Sequence, residues 1–441
     1  MGYQLDLATF KETFSVNDEG TRLKHSPGKR FKLFPYIANN NSEAITSLNS
    51  LVGRYLNQVV QQEPTLLTSD NLIAKIKEDT EIEPGMDEIF AQVVRNMFFD
   101  DQGNIRPVNL KMLSQIPCTE SNACKLSDYL VDVLGDAELL KEKVHAAAIT
   151  VEEQSNVLEK VAASKLTFSP IKATQNLHYQ RITNAVKAQF ESDFFYILEA
   201  RNRTRDYLIP LLEFYYFIYT AQAILQLRRF MEGDSQGWNL LQEATKRIFA
   251  HAAVLEILNQ FPEEHDPVDY IALKQLISES QEEDHLIAEQ IKPLTDAYRK
   301  AITDCPSMSE LVRTASADGE TAAEIRFLFE SVRIQFENSV RSRAYNSYAD
   351  KFEEYSKKYL KRRGRSGMML NLSEETLIFL TKICIKDQEK MRLNDVFSEF
   401  EKRGVFLDNH SKSEVMHYYE KLNLIEKKSD SGDAQYVKRI L

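Results

Sequence analysis

The sequence predicts a mainly α-helical protein: a multi-helix body, a long connecting helix and a C-terminal winged helix-turn-helix domain. Three observations carry this expectation. Glycine and proline are scarce, 14 and 12 in 441 residues, which favours long regular elements over a sandwich or barrel. Apolar residues recur at steps of three and four through most of the middle of the chain, the period of a helix with a buried stripe. From Leu372 onward the pattern changes to three short helical stretches and then two β-like ones. The corresponding divisions are 1–135, a mixed and mostly helical region; 136–365, a helical bundle ending in a long helix; and 366–441, the winged helix-turn-helix domain.

The first element, to about Tyr36, carries Arg22, Lys24, His25, Lys29, Arg30 and Lys32 around a Pro27-Gly28 turn. Leu23, Phe31, Leu33 and Phe34 are interleaved with these cations. A nucleic-acid contact loop and a solvated loop docked by its aromatics both fit. The second is favoured, because no aromatic stacking platform is evident. From Ser42 to about Leu134 short helices alternate with turns at Glu63-Pro64, Glu83-Pro84-Gly85, Asp101-Gln102-Gly103 and Ile116-Pro117.

Longer helices follow over Ala137–Leu166, His178–Glu232, Leu240–Phe261 and Ile271–Asp304. Phe194-Phe195-Tyr196 and Phe214 to Tyr219 make the second apolar nearly all round, as at the centre of a bundle. Its stretch Leu208–Leu227 also invites comparison with a membrane span. Pro210, Glu213, Gln222 and Gln226 interrupt it and Arg228 and Arg229 follow, so a buried core helix is the expectation. The longest helix is expected over Thr321 to about Arg363, with Ile325, Leu328, Val332, Phe336 and Val340 and then Tyr345, Tyr348, Phe352, Tyr355 and Tyr359 as a heptad-like stripe. Unbroken, it would extend on the order of 60 Å. The run Lys361-Arg362-Arg363-Gly364-Arg365-Ser366-Gly367 reads as a basic linker beyond it.

In the C-terminal domain, Ser373 with Glu374 and Glu375 marks a helix start, and Leu377, Ile378, Leu380, Thr381 and Ile383 form its apolar face. A second helix is expected over Leu393–Lys402, with Val396, Phe397 and Phe400 inward, broken by Gly404. Ser411 and Glu414 have capping-box spacing for a third helix that turns Val415, Tyr418, Tyr419 and Leu422 inward. Strands are expected over Leu424–Lys428 and Ala434–Leu441 around the turn Ser429-Asp430-Ser431-Gly432-Asp433.

Charge separates this end from the rest. The chain carries −11, yet residues from Ser339 onward hold about 21 Lys and Arg against about 16 Asp and Glu, leaving about −16 elsewhere. An acidic body argues against general adhesion to nucleic acid, while a basic end suits local DNA contact. In a winged helix the third helix can enter the major groove while the wing touches phosphate. The candidate DNA-contacting residues are therefore Lys412, Ser413, His417 and Lys421 on the third helix, Lys427, Lys428, Lys438 and Arg439 beside the wing, and Arg362, Arg363 and Arg365 in the basic run. Asp430 and Asp433 at the wing tip repel phosphate, so DNA contact and pure protein docking both stand.

Catalytic patterns are missing. There is no G-x-x-x-x-G-K-[ST] loop, no G-x-G-x-x-G after a strand, no H-E-x-x-H and no G-x-S-x-G. Glu263, Glu264, Asp266, Glu282, Glu283 and Asp284, with His265 and His285, read as surface charge rather than a metal cluster, since adjacent helical residues diverge. Cys118, Cys124, Cys305 and Cys384 show no C-x-x-C spacing and are expected to be free buried thiols of a reducing compartment. No catalytic, cofactor-binding or metal-binding residue is nominated, and a cytoplasmic protein is expected.

The stretches Arg403-Gly404-Val405-Phe406-Leu407-Asp408, Ser411-Lys412 and Lys428-Ser429-Asp430-Ser431-Gly432-Asp433-Ala434-Gln435-Tyr436-Val437 resemble the C-terminus of the DptG (DndG) family. Its members belong to a bacterial DNA phosphorothioation-dependent restriction system. The resemblance implies a non-catalytic subunit that works with DptF- and DptH-type partners, which carry the nucleotide-hydrolysing motors, and with double-stranded DNA. It names no catalytic residue. The rival expectations are a metal-dependent nuclease with an unrecognised site and a winged-helix transcriptional regulator that dimerises through the Tyr345–Tyr359 stripe.

Overall fold

The computed structural model describes residues 3–24, 30–35, 45, 47–101, 103–106, 108–153, 155–171, 179–232, 245–262, 265, 267–279, 284–338, 342–364, 368–427 and 435–440. The chain is mainly α-helical. In chain order the helices are α1 Leu7–Thr13, α2 Val52–Val60, α3 Ser69–Lys77, α4 Asp87–Phe98, α5 Leu110–Leu113 and α6 Ser121–Leu134. They continue with α7 Ala137–Glu153, α8 Val157–Ser164, α9 Lys187–Leu198, α10 Arg201–Glu232, α11 Thr245–Ile257 and α12 Tyr270–Glu279. Last come α13 Asp284–Ala301, α14 Glu320–Asn338, α15 Ser342–Ser356, α16 Glu374–Ile385, α17 Leu393–Lys402 and α18 Asn409–Lys421. The strands are β1 Gln62–Pro64, β2 Phe168–Pro170, β3 Leu360–Arg362, β4 Met368–Leu370, β5 Lys390–Arg392, β6 Ile425–Lys427 and β7 Gln435–Lys438. Among the described residues they form three small antiparallel sheets, ordered β1-β2, β3-β4 and β5-β7-β6.

Two compact units share these elements. One comprises residues 1–46, 175–184 and 219–370; the other comprises 47–174, 185–218 and 371–441. The boundary falls within α10, the expected core helix. By length and composition this helix could cross a membrane, but the apolar window of Asn202–Met231 is 72% buried inside the protein. Leu211, Leu212, Tyr215, Tyr216 and Tyr219 are all fully covered, so its hydrophobicity is spent on core.

In the first unit α11 is the central helix, packed on α14 and α15. Its Ala250, Ala252 and Ala253 are small enough for close approach, and Phe249 meets Phe336 and Tyr348 at 4.8 and 5.2 Å. The expected strut is instead two helices, α14 and α15, which pack against each other as well as on α11. Val332 and Phe336 of α14 and Tyr348, Phe352 and Tyr355 of α15 are all buried, so the apolar spacing serves two helices of one core. Residues 339–341 lie outside the described residues. Asp284 caps α14, accepting from the Glu320 and Thr321 amides. Gly319, at φ +105°, passes so close that a Cβ there would meet the Asp284 carboxylate at 2.6 Å.

The N-terminal cations also belong to this unit, and the docked reading holds for those described. Phe31, Leu33 and Phe34 are buried. Arg30 donates to Glu256 at 2.9 Å and to the Asn259 carbonyl at 3.0 Å. His25 and Lys29 lie outside the described residues. The basic run after α15 is not a plain linker: β3 and β4 form a hairpin, with Leu360 opposite Leu370 and Arg362 opposite Met368.

In the second unit α2 packs against α6 and α7. A satellite core of Leu72, Ile76, Val94, Phe98, Met112 and Ala162 joins α3, α4, α5 and α8. The remaining mass is α9, the first half of α10 and the C-terminal module, where elements follow in the order α16, β5, α17, α18, β6, β7.

Candidate nucleic-acid interface

The C-terminal module is built around α16. Ser373 caps it by accepting from the Thr376 amide, as its sequence position predicts. Thr376, Leu377, Phe379, Leu380, Thr381, Ile383, Cys384 and Ile385 are all buried, so this helix is covered on nearly every side. One side meets α17, whose Val396, Phe397 and Phe400 face inward over the expected span Leu393–Lys402. Another side meets α9 and α10, where Phe379 stacks on Tyr207 at 6.0 Å.

A buried ion pair fixes that second contact. Arg403, the residue after α17, donates from Nε and from its second terminal nitrogen to the two Asp193 oxygens of α9, both at 2.7 Å. Neither side chain is exposed to solvent. Tyr215 donates to Asp193 at 2.7 Å, and Arg403 also donates to the Ile383 carbonyl and to Glu399. Burial, and then the negative charge of Asp193, hold the Tyr215 hydroxyl well above its ordinary range, so it remains a donor. Each charge thus has a full set of partners, the condition under which burial of an ion pair is tolerated. The module is thereby seated on α9 rather than tethered by a free linker.

The outward side of the module presents two surfaces. The first is α18, which begins at Asn409 and is capped by Asp408, accepting from the Ser411 amide at 2.7 Å. The Ser411–Glu414 capping box is therefore corrected: the acid three residues upstream takes the cap, because Asp accepts from the amide at that offset as well as Ser does. Only Tyr419 is fully buried, its hydroxyl 2.6 Å from Thr381. Val415 and Tyr418 are half-buried and Leu422 is 43% exposed, so the inward face is narrower than the sequence suggests. Asn409, His410, Ser413, Glu414, His417 and Lys421 are exposed and share one helical face by their three- and four-residue spacing.

The second surface is the sheet. The register sets Met391, Val437 and Ile425 in one row and Arg392, Tyr436 and Glu426 in the next, with Lys390 opposite Lys438. Val437 is fully buried, so strand alternation turns Tyr436, Lys438, Lys390 and Arg392 to the other face. Two lysines directly opposite each other repel. Lys390 is relieved by Glu426 at 2.6 Å and lies 5.4 Å from the Tyr436 ring. Lys438 has no ion-pair partner among the described residues.

Placed on this frame, the nominated residues divide. Ser413, His417 and Lys421 are exposed on α18 and Lys438 on β7. Lys412 pairs with Glu401 at 3.2 Å and lies over the Phe397 ring. His417 and Lys427 both face Glu420, at 3.7 and 3.0 Å. Arg439 reaches Asp387 at 3.9 Å, an acid that Arg203 of α10 also holds. Arg362 and Arg363 are exposed but belong to the other unit. Lys428, Arg365 and the turn Ser429–Asp433 lie outside the described residues. Sequence reasoning missed Lys390 and Arg392, because β5 is three residues long and abuts α17. The alternation Lys390-Met391-Arg392 was the available signal. Among the described residues no group of three or more His, Cys, Asp or Glu could hold a metal ion. Glu263, Glu264, Asp266, Glu282 and Glu283 fall outside that description.

The chain matches no known protein-family model, and no curated protein matches it in sequence.

Proposed function

We propose that this chain is a non-catalytic, DNA-engaging subunit of a bacterial phosphorothioation-dependent restriction complex, with the C-terminal module acting as a winged helix. The observation that carries the reading is the outward sheet face, where Lys390, Arg392 and Lys438 outnumber Glu426 beside a tyrosine ring. Such a face suits a phosphate backbone, whose contacts position a protein without reading sequence. On this reading α18 enters or skirts the groove with Ser413, His417 and Lys421, and the β6-β7 hairpin is the wing. The motors would come from DptF- and DptH-type partners docked on the acidic remainder of the chain, in the cytoplasm.

A second reading, protein docking by the same module, draws on the carboxylates that already occupy Lys412, His417 and Lys427, and on Phe406, 69% exposed between α17 and α18. One experiment separates the two. The full chain is isolated from its host with its partners under mild conditions, and the complex is titrated with duplex DNA at low salt. Copurifying ATPases together with salt-sensitive DNA binding are expected. ATPases whose DNA binding does not change when Lys390, Arg392 and Lys438 are reversed leave only docking, and copurification with neither sets the proposal aside.

A further inference from the structure

Away from the C-terminal module, the second unit holds a pair of thiols that the sequence does not flag. Cys118 ends the turn after Pro117, and Cys124 sits in the first turns of α6, Ser121–Leu134. Their Sγ atoms are 2.9 Å apart, and the Cys124 thiol also faces the Cys118 carbonyl at 3.2 Å. Both cysteines are half-buried, whereas Cys305 and Cys384 are fully covered. Cys118 lines an open cleft of about 200 Å³, together with Arg54, Asn57, Glu63, Ile116 and Ile171. Arg54 is held there by two bonds of 2.9 Å to Asp128 of α6.

We infer that Cys118 and Cys124 form a reversible dithiol–disulfide pair, oxidised by low-molecular-weight disulfides that enter through this cleft. A disulfide needs its sulfurs at about 2.05 Å, so only a small side-chain rotation separates the dithiol from the bond. The Cys118 thiolate attacks one sulfur of the reagent, breaking its S–S bond and releasing one thiolate, which takes up the proton that Cys118 lost. The Cys124 thiolate then attacks the Cys118 sulfur of the mixed disulfide and expels the second thiolate, which is protonated in turn. The two cysteines lose two electrons and the reagent gains them as two thiols.

The neighbourhood sets the rate and the consequence. Burial, and then the hydrogen bond shared with Cys124, which favours the protonated Cys118 thiol, push it up to about 12, against the opposing pull of Arg54. Cys118 is therefore protonated at neutral pH and slow to react, which suits a device that responds to sustained oxidation. The bond pins the 113–118 turn to α6. That turn already presses on α2, since any Cβ at Gly53 would run into the Ile116 carbonyl.

The test equilibrates the full-length folded protein in glutathione–glutathione disulfide buffers of graded ratio, quenches it, and maps the four cysteines by alkylation and peptide mass. Cys118 and Cys124 should lose reactivity together with one midpoint and appear in a linked peptide two hydrogens lighter. Cys305 and Cys384 should remain thiols. With Cys124→Ser, a glutathione adduct should accumulate on Cys118 because no second thiol resolves it. The inference is overturned if both thiols survive the most oxidising buffer, if they oxidise independently, or if the linked species joins two chains.

Discussion

Arg392 and Arg403 flank the same helix, one before α17 and one after it, and the structure uses them in opposite ways. Arg403 is fully enclosed and locked to Asp193, its charge satisfied by carboxylates and a carbonyl. Arg392 is exposed on the outward sheet face, with Tyr436 as its neighbour. The first arrangement determines where the module sits; the second leaves a cation available for exchange. Positive charge in this chain is therefore not one property. A buried guanidinium orients the module, and the exposed cations are what a phosphate can compete for.

The largest effect follows from breaking the lock. Asp193→Ala strips Arg403 of its enclosed carboxylate and leaves it only the partly exposed Glu399, so the cost should approach that of a broken buried pair, about 3–5 kcal/mol, read by denaturant unfolding. Replacing both, Asp193→Leu with Arg403→Met, should cost less than either single change, since the charges that then lose a partner, Glu399 and Lys386, are partly exposed. If the double variant were the weakest of the three, the pair would not be the unit that fixes the module. A smaller change is Tyr419→Phe, which removes the 2.6 Å hydrogen bond with Thr381. It should cost about 0.5–1.5 kcal/mol, the net worth of one buried hydrogen bond, without altering the surface that α18 presents.

The smallest effect concerns acid. Burial works to raise the Glu399 carboxyl, but hydrogen bonds from Lys402 and Arg403 outweigh it and hold the group below its ordinary value. A carboxyl depressed on folding contributes stability above its unfolded pKa of about 4.3 and loses it as pH falls through the folded value. Stability should therefore be flat above that range from this group and decline below it. Glu399→Gln should flatten part of the decline, and an unchanged acid limb in the variant would show that the group contributes nothing.

How far the sequence alone leads depends on the range of the interaction. Ser373 at the start of α16 and the limits of α17 are local matters of capping and periodicity, and they read directly. The break between α14 and α15 does not, because the three-and-four spacing of Val332, Phe336 and Val340 continues across it. Asp193 and Arg403 lie far apart in the chain, and only the fold joins them. The same holds for Cys118 and Cys124, whose spacing of six becomes a contact only when a turn meets the start of α6. On the surface, Lys421 and Lys438 stay exposed where expected, whereas Lys412, His417 and Lys427 are already paired with nearby carboxylates. Composition could count those acids but could not place them.

The central claim, that the outward sheet face binds the DNA backbone, is tested most directly by the salt dependence of duplex binding. The full-length protein is compared with Lys390→Glu, Arg392→Glu and Lys438→Glu combined, folding being checked by circular dichroism. The slope of log affinity against log salt should become shallower by about 0.9 for each phosphate that the variant no longer neutralises, with affinity reduced alike for unrelated sequences. Equal slopes and equal affinities for the two proteins would contradict it.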